Sequence, residues 1–317
     1  AIVLVEIIRP TFNKITGKEI TINYFEPQLL LIALLVLVLI SLISAIYPYL
    51  FLKSNKPVFF LKGIVIPSTK KLNTKKILVV FQFVISTTLI IFAGFVIKQI
   101  NFIYSKDLGF DRDNIIVVNS MALSEKESIF KNEILKHPNV LSASIGKTPF
   151  GGGWPDSWSW DGKAEQTRLD VICIYSDCDY LRTLDIKLLN GRFFKDGFVD
   201  REKIVINQKF AELIGQDDVL GKKITFGEHK YEIIGMIDNI YSHHFSEEVK
   251  PIALFNEPTH KFLIKVKEGK VKETADHLAS VLKTLDAEEV FEYTTLQNQF
   301  DYVFEKELRT GMLFGYF

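Results

Sequence analysis

Cysteine and net charge are both scarce in this chain. Its 317 residues include two cysteines, too few for a disulfide-rich scaffold or for a zinc module built on several cysteines. Its 38 basic and 38 acidic residues cancel, whereas a dedicated nucleic-acid-binding protein normally carries a basic surplus. Charged residues make up 24% and 26 residues are phenylalanine, which excludes an intrinsically disordered chain. The composition indicates a folded protein without nucleic acid as a partner.

Recognisable catalytic motifs are also missing. The sequence contains no Gly-x-Ser-x-Gly elbow and no His-Glu-x-x-His pair. Residues 215–223 resemble a phosphate-binding loop, but their glycines stand one residue too far apart, and no Ser or Thr follows the first Lys. We therefore predict that the chain is not an enzyme, with no catalytic residue and no cofactor site.

Two histidines offer the strongest hint of a metal site. His243 and His244, followed by Glu247 and Glu248, bring two imidazoles and two carboxylates into one short segment. Neighbouring side chains on a strand point to opposite sides, so a solvated loop is the simpler interpretation. We predict no metal site here.

The cysteines and tryptophans leave two questions open. Cys173 and Cys178 would lie about 16 Å apart on an extended strand, and a disulfide needs Cα atoms within about 7 Å. A turn between them could still join them. Trp154, Trp158 and Trp160 are either an exposed patch for a ligand or part of the internal packing, which is the more common role for such groups.

Two long uncharged runs dominate the N-terminal third. Residues 27–52 and residues 77–97 contain no charged side chain. About 20 such residues cross the hydrocarbon core of a bilayer, and each charge at its centre would cost roughly 3 kcal/mol. Buried core helices rarely run so long without a polar face. We predict two transmembrane helices at these positions.

The segment between the two runs sets their orientation. Residues 53–76 hold seven lysines and no acid, and short Lys-rich loops stay in the cytoplasm. These lysines would anchor the topology and contact lipid headgroups.

Residues 1–97 hold 10 basic and 3 acidic side chains, whereas residues 98–317 hold 28 basic and 35 acidic ones. We interpret residues 1–26 as the end of a truncated transmembrane helix with a periplasmic loop, and residues 311–317 as the start of another.

Residues 98–310 are predicted to form an extracytoplasmic α+β domain. Two β-α-β patterns, one early and one late, suggest a split, ferredoxin-like sheet with two helices on one face. The predicted strands are 114–118, 140–145, 262–266 and 289–294, and the late helix carries an apolar stripe over 271–285. Between the patterns, residues 151–259 have strand signals of their own at 169–175, 203–206, 223–226 and 231–237. This stretch is predicted to be an inserted, mainly β subdomain, with Gly151–Gly153 at one crossing point.

Several segments, in this order and spacing, carry a resemblance to a known family. They are Tyr47–Leu50, Lys56–Gly63, Lys75–Phe83, Lys106–Asp111, Leu184–Ile186, Leu189–Phe194, Ile204–Gln208, Leu220–Lys222, Tyr231–Asp238 and Pro251. Together they resemble the permease subunits of MacB/FtsX-like ABC transporters, especially the two-half permeases of Bacteroidetes. The resemblance covers nearly the whole chain.

The resemblance implies an architecture, a location and partners. Residues 105–150 and 260–300 look like the family's porter-like subdomain, and residues 151–259 like its sabre-like subdomain. The protein would lie in the bacterial inner membrane as a multi-pass permease with a large periplasmic domain. Its ATPase would be a separate cytoplasmic chain, contacted outside this fragment. A periplasmic adaptor and an outer-membrane duct are further implied partners, and the permease would work as a dimer or as a two-half monomer.

The resemblance also implies a mechanical function. ATP-driven closure of the ATPase would reach the periplasmic domain through stalks at residues 99–110 and 305–309, exporting a peptide, drug or lipoprotein-like substrate. Two alternatives stay open. One is a membrane-bound sensor with an extracytoplasmic ligand-binding domain, although a receptor would usually place a long cytoplasmic domain where the short Lys-rich loop stands. The other is an FtsX-like regulator of cell-wall hydrolases.

Overall fold

The computed structural model describes most of the C-terminal two thirds of the chain and two long N-terminal helices. The described residues are 5–7, 9–10, 12–13, 21–24, 26–54, 74–119, 123, 126–150, 154–155, 158–160, 169–197, 200–215, 219–257, 259–305 and 307–309. The chain divides into two compact units, which are residues 1–100 with 309–317 and residues 101–308. They are called unit 1 and unit 2 below. Most of the Lys-rich loop, the glycines at 151–153 and residues 311–317 lie outside the described residues.

Unit 1 is built on two helices, α1 (Pro27–Ser54) and α2 (Thr74–Ser105), the second of which ends inside unit 2. Each contains the corresponding uncharged run, and each is long and apolar enough to cross a membrane. Their apolar side chains face outward, with Leu31 65% and Ile90 72% exposed. The Thr88 hydroxyl donates to the Val84 carbonyl oxygen at 2.8 Å, so the helix satisfies its own polar group. Exposed apolar surface of this extent marks a contact with a membrane or with another protein.

The first sheet of unit 2 has the strand order β12-β1-β11-β2 and is antiparallel throughout. This is the order of a split β-α-β arrangement. Helices α3 (Glu127–Ile134) and α6 (Val271–Leu285) cover one face, where Phe130 packs edge-on against Phe262 at 4.9 Å between ring centroids. The strands are β1 (Ile115–Asn119), β2 (Val140–Ile145), β11 (Lys261–Val266) and β12 (Tyr293–Thr295).

One strand of this sheet is shorter than its sequence pattern suggests. A strand was expected over 289–294, but β12 begins only at Tyr293. It lies at the sheet edge and pairs with just three residues of β1, from Ile116 to Val118. The preceding acidic residues Glu288 and Glu289 therefore stay outside the sheet.

The second sheet is mixed. Its order is β3-β5-β10-β7-β9-β8-β4, with β6 also paired to β9, and the pairs β5–β10 and β7–β9 are parallel. Two short helices, α4 (Tyr180–Leu184) and α5 (Gln208–Ile214), accompany it. The strands are β3 (Trp154–Pro155), β4 (Trp158–Ser159), β5 (Asp170–Tyr175), β6 (Leu188–Gly191), β7 (Lys203–Asn207), β8 (Lys223–Phe226), β9 (His229–Ile237) and β10 (Ile252–Phe255). The four strands expected from sequence are β5, β7, β8 and β9.

The two sheets share one hydrophobic core. Val117 and Leu263 of the first sheet belong to the same buried cluster as Ile174 and Leu254 of the second. Phe300 also joins this cluster, from helix α7 (Leu296–Val303). Because apolar burial is shared across the boundary, the stretch 151–259 is packed against the rest of unit 2 and not attached by its linkers alone.

Residues from the family-like segments hold this packing together. Asn207 is fully buried, where its side-chain oxygen accepts from the backbone N–H groups of Phe210 and Ile252 at 3.1 and 2.8 Å. It thereby caps α5 and fixes β10. Gly191 has a φ of +74°, and a Cβ there would lie 2.3 Å from the Ile234 carbonyl oxygen. These motifs therefore encode close backbone approach and buried hydrogen bonds.

Candidate functional site: the stalk junction

The two histidines singled out in the sequence have different hydrogen-bond partners. His243 Nδ1 lies 3.0 Å from Ser242 Oγ, whereas His244 Nε2 lies 3.1 Å from Glu307 Oε1. Burial and the nearby Lys250 ammonium lower the pKa of His243, which favours the neutral ring. Within the described part of the chain, no group of three or more His, Cys, Asp or Glu residues could hold a metal ion.

The two cysteines are free thiols. Cys173 is buried on β5, and Cys178 is half-buried in the turn that follows. Burial raises the pKa of Cys173 to about 12, so it is protonated and unreactive at neutral pH. The disulfide that the spacing left open is absent.

The structure decides between the two alternatives for Trp158, but not for all three tryptophans. Trp158 is 2% exposed and stacks on Phe226 at 4.4 Å, with Phe210 edge-on at 5.2 Å. Its role is internal packing, so the ligand-patch alternative is wrong for this residue. Trp160 is half-buried at the edge of the same aromatic cluster, 6.0 Å from Phe210. The side chain of Trp154 lies outside what the structure describes.

A set of polar and aromatic contacts in unit 2 lies where α2 enters and α7 leaves. We call it the stalk junction and define it as residues 102–112, 239–246 and 296–308. The family resemblance implied a helical stalk over residues 99–110, but α2 ends at Ser105. The Gly109 N–H donates to the Asp107 carboxylate at 2.8 Å, and Gly109 has a φ of +76°. This turn, and not a longer helix, carries Phe110 into the core.

Gly109 is needed at this turn for a second reason. A Cβ at this position would lie 2.2 Å from the Asn239 carbonyl oxygen. The Tyr241 N–H also donates to the Leu108 carbonyl at 2.9 Å. The incoming chain and the loop 239–246 are thus in backbone contact, with no room for a side chain between them.

An apolar wedge lies beneath this turn. Ile103, Leu108 and Phe110 are 3–7% exposed and belong to the core shared by the two sheets. Fully burying side chains of this size contributes about 1.5–3 kcal/mol each. The end of α2 is therefore held by unit 2 through burial as well as through the chain.

Lys106 links the end of α2 to the loop. Its ammonium lies over three aromatic rings, 5.4 Å from Phe102, 4.4 Å from Tyr241 and 4.8 Å from Phe245. Cation–π contacts contribute about 0.5–2 kcal/mol, depending on how far the cation is desolvated. Phe245 in turn packs on Phe304 at 4.7 Å, which carries the contact to the outgoing segment.

Arg112 links α2 directly to α7. Its Nη2 donates to the Tyr104 carbonyl at 2.8 Å, and its Nε donates to Gln297 Oε1 at 2.8 Å. The guanidinium also lies 3.8 Å above the ring of Phe300. One side chain therefore caps a carbonyl at the end of α2 and contacts two side chains of α7. Lysine could not reproduce this planar, forked geometry.

Two further contacts close the junction. The Tyr104 hydroxyl donates to Asp301 Oδ1 at 3.1 Å, and Gln297 Nε2 donates to the same oxygen at 2.8 Å. His244 bonds Glu307 and lies 4.9 Å from the ring of Phe304. The incoming helix, the loop and the outgoing segment are thus joined pairwise by side chains.

The arrangement restrains three segments relative to one another. The junction joins the end of α2, the loop 239–246 and the outgoing segment through paired and stacked groups, which fix relative position more than apolar contact does. The sequence pattern alone does not indicate Arg112 or Tyr104, because their partners lie 185 and 197 residues away. The sequence feature that could have pointed to this region is the density of aromatic residues around Lys106.

Comparison with known proteins gives likenesses of fold. No protein-family model matches the chain, and no curated protein matches it. The periplasmic region of MacB from Actinobacillus actinomycetemcomitans is similar, with a TM-score of 0.43 and 14% identity over 63% of this chain and 97% of that one. The extracellular domain of the noncanonic ABC-type transporter YknZ from Gram-positive bacteria scores 0.42 with 15% identity, over 57% and 100%. A domain described as that of a permease protein from Porphyromonas gingivalis scores 0.41 with 14% identity, over 59% and 92%. These likenesses assign no role to any residue here.

Proposed function

We propose that the chain is part of the permease subunit of a MacB/FtsX-like ABC transporter. In this proposal α1 and α2 cross the inner membrane, and unit 2 lies in the periplasm. A separate cytoplasmic ATPase supplies the energy, and unit 2 changes conformation in response without performing chemistry itself. The ordered set of family-like segments supports the family assignment.

The continuity of α2 is the observation that supports the mechanical part of the proposal. One helix contains the whole uncharged run 77–97 and ends at Ser105, inside the stalk junction. A helix with intact hydrogen bonds transmits axial and rotational displacement better than a flexible linker does. The wedge of buried residues, Lys106 and Arg112 then pass that displacement to the loop and to α7.

The test is isolation of the tagged full-length protein from membranes in mild detergent, followed by mass spectrometry and ATPase assay. We expect a separate ABC ATPase to copurify, with turnover that depends on the permease. A periplasmic adaptor or an outer-membrane duct in the same sample would support export. A cell-wall hydrolase in their place would favour the regulator, and a kinase without any ATPase would favour the sensor.

A further inference from the structure

One side of the second sheet ends in a group of aromatic rings. Strand β5 closes with Tyr175 and β10 with Phe255, and these two residues are register partners. Tyr231 on β9 and Phe226 at the end of β8 pack in the same hydrophobic cluster. We call these four residues the aromatic platform. It lies on the side of the sheet that faces away from the core shared with the first sheet, because strand residues alternate between the two sides.

The four rings are in contact with one another. The ring of Tyr175 lies nearly flat on that of Phe255, with centroids 5.1 Å apart and planes 25° apart. Tyr231 stands nearly perpendicular to Phe255 at 5.1 Å, and Phe226 is tilted against it at 5.8 Å. Phe226 is itself stacked on the buried Trp158 at 4.4 Å. The rings thus form one contiguous group whose orientation is fixed by packing.

The platform is covered at its centre and open at its rim. Phe255 is 2% exposed, whereas Tyr175, Tyr231 and Phe226 are each half-buried. Among the described residues, none accepts or donates a hydrogen bond at the hydroxyl of either tyrosine. The three outer rings are therefore accessible from outside, and the two hydroxyls are available to a ligand.

Two exposed carboxylates act on the tyrosines. Burial, and after it the charge of Glu257, raises the pKa of Tyr231. Glu202 acts on Tyr231 in the same direction. Burial also raises the pKa of Tyr175, with further contributions from Cys173 and from Glu257. Glu257 thus lies within electrostatic reach of both phenols, one on each side of Phe255.

The bases near this end of the sheet do not cancel these carboxylates. Lys203 is paired with Glu232 at 2.7 Å. Lys147 acts on the Cys173 thiol, where burial is the larger effect and raises the pKa. Within the described part of the chain, the charges that shift the two phenols of the platform are negative ones.

Aromatic faces and carboxylates attract the same kind of group. The face of an aromatic ring carries negative potential, so an ammonium or guanidinium group within about 6 Å of its centroid is attracted to it. A carboxylate beside the ring adds a Coulomb attraction that also acts only on cations. Glu257 and Glu202 would repel an anion, and an uncharged apolar group would gain nothing from them.

We propose that the aromatic platform binds an organic cation, whose ammonium or guanidinium group lies on Tyr175 and Tyr231 with Glu257 beside it. This chemistry is shared by small quaternary ammonium compounds and by the basic side chains of a peptide. The platform lies wholly within unit 2. Binding requires neither a membrane nor an ATPase, so the inference stands or fails separately from the proposed function.

The test is ligand-detected NMR on the full-length protein in a non-ionic detergent, whose micelles carry no charge. The probes are choline, N-acetylarginine amide and 3,3-dimethylbutanol, which is the uncharged carbon analogue of choline. We expect at least one of the two cations to bind saturably and about tenfold more tightly than 3,3-dimethylbutanol. Tighter binding of choline identifies a small cation as the occupant, and tighter binding of the arginine derivative identifies a basic peptide. Equal binding of charged and uncharged probes, or no saturable binding of either cation, would overturn the proposal.

Variants show whether the cation binds at the platform. Glu257 is exposed, so Glu257→Lys should keep the fold, yet its own ammonium would occupy the rings and lower the affinity for the cation by about tenfold or more. Tyr231→Leu removes a ring and should lower it severalfold, whereas Tyr231→Phe keeps the ring and most of the affinity. The matched control is Tyr293→Leu, an exposed tyrosine of the first sheet, which should bind as the wild type does. Unchanged affinity in Glu257→Lys, or an equal loss in Tyr293→Leu, would refute binding at the platform.

Discussion

The stalk junction and the outer layer of unit 2 are held together in different ways. The outer layer, where α3 and α6 cover the first sheet, buries a mainly aliphatic and aromatic cluster. It also holds a largely buried ion pair, in which Lys131 contacts Asp177 at 2.7 Å and the two side chains are 13% and 14% exposed. The junction combines an apolar wedge with Lys106 and Arg112, whose cations lie over aromatic rings. Apolar burial has no direction and contributes mainly to stability, whereas paired and stacked groups set the relative position of the segments they join.

The largest expected effect comes from uncoupling the junction. Under the proposed function, a flexible Gly-Ser insertion beside Lys106 should abolish complementation of a deletion of the gene and leave the basal turnover of the partner ATPase unchanged, because the helix would no longer move unit 2. The same insertion at Gly269, a turn of the outer layer with open space around it, is the control and should complement. Full function with the insertion at Lys106 would contradict the mechanical proposal.

Truncation in the outer layer should affect stability instead. Phe130 is fully buried, so Phe130→Ala should lower the free energy of unfolding by about 3–5 kcal/mol. Thermal unfolding of the purified protein measures this loss, and activity per folded molecule should stay near wild type. A folded Phe130→Ala protein without function would show that the outer layer takes part in transmission.

Gly109 offers a substitution that reports on the backbone contact of the junction. Gly109→Ala combines a positive φ with a clash against the Asn239 carbonyl, so the loss should reach about 3 kcal/mol. Gly269→Ala, with a φ of +70° and nothing within 4 Å, should lose only about 1–2 kcal/mol. Equal melting temperatures for the two variants would mean that loop 239–246 yields easily and does not restrain the end of α2.

Arg112→Lys tests whether the forked geometry of this side chain matters more for function than for stability. The charge remains, but the fork that joins the Tyr104 carbonyl to Gln297 is lost, so we expect a stability loss of about 1 kcal/mol with a strong loss of function. Lys131→Arg is the matched exchange of cations in the outer layer, and it should leave function intact. Similar behaviour of the two variants would remove the distinction drawn between the regions.

The smallest expected effect is on folding stability at acidic pH. The pKa of His243 is lowered in the folded state, so the unfolded chain takes up the proton first as the pH falls. Stability contributed by the neutral ring is present above the unfolded pKa of about 6.5 and declines below it. His243→Gln should flatten this decline in a series of melting curves. An identical acid dependence would place the responsible groups elsewhere.

Much of the fold followed from local pattern. The apolar stripe over 271–285 predicted α6 because a helix needs only a period of 3.6 to display its buried face. Strands β5, β7, β8 and β9 followed in the same way from β-branched runs. Strands β3, β4 and β6 have two to four residues each and lack a pattern long enough to detect. The helix was expected to continue to Phe110 but ends at Ser105. The turn at Gly109 that ends it depends on the Asn239 carbonyl, which comes from a distant loop.

The sequence by itself determined the two apolar helices, the α+β character of unit 2 and the ordered family-like segments, because hydrophobic period and turn residues act over short distances. Only the tertiary structure decided that the two sheets share a core, that the cysteines are unpaired and that Trp158 is buried. It also decided the junction, where Arg112 reaches Gln297 and Tyr104 reaches Asp301. Contacts across nearly 200 residues leave no local trace, since their geometry exists only once the intervening chain has folded.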